Sequence, residues 1–156
     1  MTRTLPALTL ALALALPWAS GAALWAAAAP AAAATSAATE PIRAVYHINE
    51  IDKARGLLAN VRNHLRDDPS TQIVVVANGG GIDFLLKDAV DKSGLPFDEA
   101  VSALARQGVV FKVCRNTLAG RNLTDAAVAS YAGVVQAAVG EIARLQAREG
   151  YVYLKP

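Results

Sequence analysis

Six residues, Gln72-Ile73-Val74-Val75-Val76-Ala77, constrain this chain more than any others. The apolar run from Ile73 lacks the every-second-residue alternation of a strand with one wet face. A strand without a polar face is buried on both sides, the position of a central strand in a parallel sheet covered by helices. Asn78-Gly79-Gly80-Gly81 then breaks the run. Such a sheet needs helical segments between its strands, and the flanking sequence supplies them.

Ile42 to Ile48 reads as a first strand, with Asn49 placed to cap the next helix and Asp52 in a loose capping box. From Glu50 to Arg66, residues Ile51, Ala54, Leu57, Leu58, Val61 and Leu65 recur at helical spacing. Beyond the glycines, Ile82 to Val90 is predicted as a helix, with Asp83 and Lys87 forming a solvated ion pair. Pro96 opens a further helix, Phe97 to Gln107, and Gly108 stops it. Val109 to Cys114 is a strand, Leu118-Ala119 a helical turn, and Thr124 the cap of a segment from Asp125 to Ser130. Gly133 to Ala138 reads as a weaker strand, Val139 to Glu149 as a helix ended by Gly150, and Tyr151 to Leu154 as a last strand. This alternation predicts an α/β fold: a three-layer α/β/α domain with a mainly parallel sheet of about five strands.

The 54% hydrophobic content overstates that domain, because the leader inflates it. Residues 1–25 have the layout of a secretory signal peptide: Arg3, an apolar stretch from Leu5 to Leu16, then Pro17. The stretch is shorter than the roughly 18 apolar residues of a membrane span. Extended to Ala29 it reaches that length, so an uncleaved anchor is the alternative, and only that form would bring the protein to a membrane. Residues 26–40 are an Ala-rich low-complexity tether, and the folded domain is expected over residues 41–156. The expected location is periplasmic or otherwise exported. Net charge is +2, and loss of Arg3 with the leader takes it to +1. No basic stripe with interleaved aromatics appears, so nucleic acid is not an expected partner.

An exported chain with one cysteine forms no intramolecular disulfide, so Cys114 is either an inert core residue or a working thiol. It ends a predicted strand, where sites gather in open α/β sheets. The helix start after it and the guanidinium of Arg115 both favour thiolate. Asn116 and Thr117 cap the following turn or donate to a ligand. His47, near the end of the first strand, is a strand-end histidine or a base paired with Cys114. Asn78, Gly79, Gly80 and Gly81 form a tight turn or present N–H groups to an anion. They match neither a Walker loop nor a dinucleotide fingerprint. Two histidines and one cysteine make no metal-ligand spacing, and no cofactor is implied. The four tyrosines read as core or subunit contacts.

The segment Gly108-Val109-Val110-Phe111-Lys112-Val113-Cys114-Arg115-Asn116-Thr117-Leu118 resembles the cysteine segment of the DsrE/DsrF-like family, which includes YchN-type proteins and sulfur-relay subunits. Val139 to Gln146, with Gly150-Tyr151-Val152-Tyr153-Leu154-Lys155-Pro156, resembles the ending of an exported branch. Val45 to Ile48 and Val74 to Gly81 fit the same pattern. The resemblance implies a DsrE/YchN-like fold and a homotrimer or homohexamer. It also implies a thiol at Cys114 that accepts a sulfane sulfur as a persulfide from a donor protein and passes it to an acceptor. Such a protein is a sulfur carrier rather than a turnover enzyme. The alternative function is a non-catalytic oligomeric module that binds a small ligand or a protein, with Cys114 structural.

Overall fold

The computed structural model describes residues 40–156. The leader and the tether up to residue 39 lie outside the described residues. Among the described residues, no helix is long and apolar enough to cross a membrane.

Five strands form one sheet: β1 (Arg43–Ile48), β2 (Gln72–Ala77), β3 (Val110–Cys114), β4 (Ala132–Val135) and β5 (Val152–Leu154). Their order is β4-β3-β2-β1-β5, and every pairing is parallel. The connecting helices are α1 (Ala54–Asp67), α2 (Asp98–Arg106), α3 (Arg115–Gly120) and α4 (Ala138–Glu149). From β1 to β4 the chain steps one strand at a time in one direction. Right-handed crossovers then put α1, α2 and α3 on one face of the sheet. The return from β4 to β5 runs the other way, so the same handedness puts α4 on the opposite face.

Burial obeys this division. Ala44, Tyr46, Ile73, Val75, Phe111 and Val113 face α1 and α2, which contribute Leu57, Leu58, Val61, Val101 and Leu104. Phe84 packs edge-on against both Phe97 and Phe111 there. The other face carries Val45, Val74, Val76 and Cys114 beneath Ala138, Ile142 and Leu145 of α4. Ile73 to Ala77 are all buried, as the unbroken apolar run requires. Gly150 ends α4 in the left-handed region, at φ 70°, and Gly108 comes after α2 at φ 95°.

The predicted helix from Ile82 to Val90 does not form. Gly79–Leu85 is a 3-10 helix, and Leu86 is extended. The segment's hydrogen bonds go sideways instead: Lys87 N–H donates to Ala127 O, and Ala129 N–H to Leu85 O. Leu86 is extended and Asp88 takes a positive φ of 59°, which breaks the helical path, and the loop at residues 127–129 supplies the bonding partners. Without an α-helix the Asp83–Lys87 spacing means nothing, and Asp83 pairs with Arg121. Asn49 makes no capping bond. A 3-10 turn, Ile51–Lys53, precedes α1, with Glu50 at its cap position, and Asp52 pairs with Lys92.

Only three buried side chains hold α4 to the sheet, and a half-buried ionic network supplements them. Lys112 of β3 pairs with Glu141, whose other contacts are Arg144 Nε at 2.8 Å and Nη2 at 2.7 Å. Hydrogen bonds from Arg144 dominate over burial and, with Lys112, hold the Glu141 carboxyl down at about 2. The folded value lies below the ordinary 4.5, so the stabilisation is complete above about pH 4.5 and is lost as pH falls toward about 2. The melting temperature of wild type will therefore exceed that of Glu141→Gln at neutral pH, and the gap will close at the acid end of that window. A gap that stays constant with pH would contradict this.

Candidate functional site

Cys114 closes β3 and stands at the cap position of α3, with φ −74° and ψ 116°. The alternation along β3 turns its side chain toward α4, where it is buried at 5% exposure. Its sulfur accepts the backbone N–H of Ala138 at 3.4 Å. Ala138 is the first residue of α4. Burial pushes the thiol pKa up, but it is opposed by the Ala138 N–H, the Thr117 hydroxyl, and the N–H groups of Thr117 and Asn116. The net result lies below the ordinary thiol value. The sulfur thus sits where the starts of two helices converge, one leaving its own strand and one returning from the neighbouring strand. Aligned N–H groups of this kind stabilise negative charge.

The turn after β2 holds this arrangement from the side. Gly79 N–H donates to Thr117 Oγ1 at 3.2 Å. Gly81 N–H donates to Asn78 O at 2.9 Å. A Cβ at Gly81 would lie 2.5 Å from the Ile48 carbonyl oxygen and 2.8 Å from Asn49 Cα. Gly79 itself has φ 52°. The Gly79 and Gly81 N–H groups are therefore spent on internal bonds, and the turn braces Thr117 rather than offering those donors to an anion. Asn116 joins the loop before α4: its N–H donates to Gln136 O at 3.3 Å, and its Oδ1 accepts from Gln136 Nε2 at 3.0 Å.

Arg115 departs from its expected role. Its guanidinium grips Asp125 on the surface, with Nη2 to Oδ2 at 2.6 Å and Nε to Oδ1 at 3.2 Å. The first residue of α3 points outward, so adjacency in sequence does not bring it to the sulfur. His47 lies on the α4 side of β1, but it does not form the Cys–His pair. Its Nε2 is 3.1 Å from Asn78 Oδ1 and its Nδ1 is 2.8 Å from the Tyr153 hydroxyl. Because Asn78 Oδ1 only accepts, Nε2 carries the proton, and Nδ1 accepts from Tyr153. These contacts tie β1, the end of β2 and β5 together, two strands away from the thiol. His47 also lines one wall of a cavity of about 330 Å³ with Asn49, Glu50, Lys53 and Lys155. Among the described residues, no group of three or more His, Cys, Asp or Glu could hold a metal ion.

Sequence reasoning misses Ala138 and Tyr153. The apolar run places Ala138 at the end of a strand, whereas β4 stops at Val135. Helices in α/β sheets start beyond strand ends, which points to Ala137-Ala138, but only with β4 known to lie beside β3. No signal singles out Tyr153, because β5 joins β1 across more than a hundred residues.

Residues 26–156 match the DsrE/DsrF-like family. No curated protein matches the chain. Among solved structures, the protein of unknown function MTH1491 from Methanobacterium thermoautotrophicum is 37% identical, with a TM-score of 0.66. That match covers 74% of this chain and 99% of the other. The ychN protein of E. coli shares the fold at 13% identity, with a TM-score of 0.60 over 75% of this chain and 99% of its own. The five-stranded parallel sheet, the cysteine at the end of β3 and these matches together make the chain a member of the DsrE/DsrF-like family.

Proposed function

We propose that the protein carries sulfane sulfur on Cys114 as a persulfide. One observation carries the reading: the Cys114 sulfur receives the N–H of Ala138 and further donors from Asn116 and Thr117, so its thiol is acidified despite burial. The thiolate attacks the outer sulfur of a donor persulfide. The new S–S bond to Cys114 forms as the donor's own S–S bond breaks, and the donor leaves as a thiolate. Transfer to an acceptor thiolate is the same exchange in reverse, so no external oxidant is consumed.

The reading includes export, on the strength of the leader at residues 1–25, with any membrane attachment confined to a form that keeps the leader. It also includes self-assembly into a trimer or hexamer. Exposed Val110, Val139 and Tyr153, on the side of the sheet that α4 covers, support a subunit contact there. The 5% exposure of Cys114 favours a second reading, a binding module in which the thiol only packs. Cyanolysis of polysulfide-treated, desalted protein separates the two. The carrier reading predicts about one labile sulfur per chain, matching the single thiol, and none in Cys114→Ser. No labile sulfur in the wild type would leave the binding module.

A further inference from the structure

The sulfur's donor from α4 is useful only while α4 keeps its place over β3. An N–H···S contact at 3.4 Å weakens quickly with a small displacement or tilt of the helix. The apolar anchoring of α4 is thin: Ala138, Ile142 and Leu145 are its buried residues, and the nearest to the sulfur is only an alanine. One further link joins the same helix to the same strand. Lys112 lies two residues before Cys114 on the same face of β3, and Glu141 lies three residues after Ala138 on α4. Two residues of strand advance about 6.6 Å, and three residues of helix about 4.5 Å. The Lys112–Glu141 pair and the Cys114–Ala138 contact are thus neighbouring rungs between one strand and one helix. Together they fix both the height and the pitch of α4 above the thiol. Arg144 steadies the carboxylate from within α4 and also reaches Glu149, while Arg43 of β1 holds the Glu149 carbonyl at 3.1 Å.

We infer that Lys112 and Glu141 are positioning residues for Cys114: their half-buried pair seats the first turn of α4 so that the Ala138 N–H points at the sulfur. The inference rests on the persulfide reading for its biological use, though not for its physics. Charged and titratable groups on this face of the molecule are Lys112 from β3, Glu141, Arg144 and Glu149 from α4, Arg43 and His47 from β1, and Tyr151 and Tyr153 at β5. Among them Glu141 gives a decisive sign. Removing a nearby negative charge, with nothing else changed, lowers a thiol pKa. Loosening the helix start removes a donor and raises it.

The test is a titration of the thiolate ultraviolet absorbance of the mature protein, with the Cys114→Ser spectrum subtracted. The single cysteine makes this signal specific. Glu141→Ala and Lys112→Met are each expected to raise the midpoint by about one pH unit, a tenfold loss of thiolate below it. Lys112→Arg, which can keep the pair, is expected to stay within a few tenths of wild type. A lowered midpoint in Glu141→Ala, or an unchanged one, would overturn the inference. If Glu141→Ala does not fold, Glu141→Gln, which keeps the size of the side chain and loses its charge, takes its place: a raised midpoint supports the clamp, and a lowered or unchanged one overturns it. Failure of the persulfide reading shows elsewhere, as no sulfur uptake by a wild type whose thiol titrates normally.

Discussion

Gly81→Ala will destabilise the protein by about 3 kcal/mol, the upper range for forcing atoms into a packed site. The added methyl would meet the Ile48 carbonyl oxygen at 2.5 Å and Asn49 Cα at 2.8 Å, both backbone atoms at the end of β1. Neither can swing aside as a side chain would. Ile48 also accepts the N–H of Asn78, so pushing it away strains the β1–β2 pairing as well. The turn that must move carries the Gly79 N–H bonded to Thr117, and the thiol will lose part of its support. Gly56→Ala is the control. Gly56 lies inside α1, and a Cβ there meets nothing within 4 Å. That change should stabilise by about 0.5–1 kcal/mol through helix propensity. Urea unfolding of both variants checks the pair, and a Gly81→Ala loss under about 1 kcal/mol would mean that the turn is not seated as described.

The second large effect falls on the thiol. Thr117→Val keeps the shape of the side chain but removes the hydroxyl that acts on the Cys114 sulfur and accepts the Gly79 N–H. A hydrogen bond to a charged group contributes about 1.5–3 kcal/mol. At about 1.4 kcal/mol per pH unit, the thiol pKa should rise by roughly one to two units. The rate of alkylation below that pKa should fall at least about tenfold. Thr117→Ser, which keeps the hydroxyl, should stay near wild type. Equal rates in Thr117→Val and wild type would show that the hydroxyl does not stabilise the thiolate. The orphaned Gly79 N–H is exposed and can bond to water, so the variant should lose little stability.

The parts of the fold that are readable from sequence are those where a local pattern has one physical solution. The run Ile73 to Ala77 can only be buried on both faces, and the stripe Ala54, Leu57, Leu58, Val61 can only be one side of a helix. Gly150 takes the left-handed conformation that few other residues accept. Local pattern misleads at Ile82 to Val90, where apolar spacing suggests a helix. Tertiary hydrogen bonds to residues 127–129 decide otherwise. Cys114 is visible as a candidate because a strand end followed by a helix start is a local pattern. The surroundings of its sulfur are not. Ala138 reaches it only because β4 pairs with β3, and Arg115 misses it because the α3 start faces Asp125. Likewise His47 meets Tyr153 only because β5 pairs with β1.

The carrier role proposed for this protein depends on a sulfur-accepting thiolate at Cys114. Intact-mass spectrometry of the protein after incubation with polysulfide, with Cys114→Ser in parallel, tests it most directly. The expected result is a gain of about one sulfur mass in the wild type, removed by reductant and absent from the serine variant. No adduct on a folded wild type, with a thiol that also resists alkylation, would contradict it and leave Cys114 as a packing residue beneath α4.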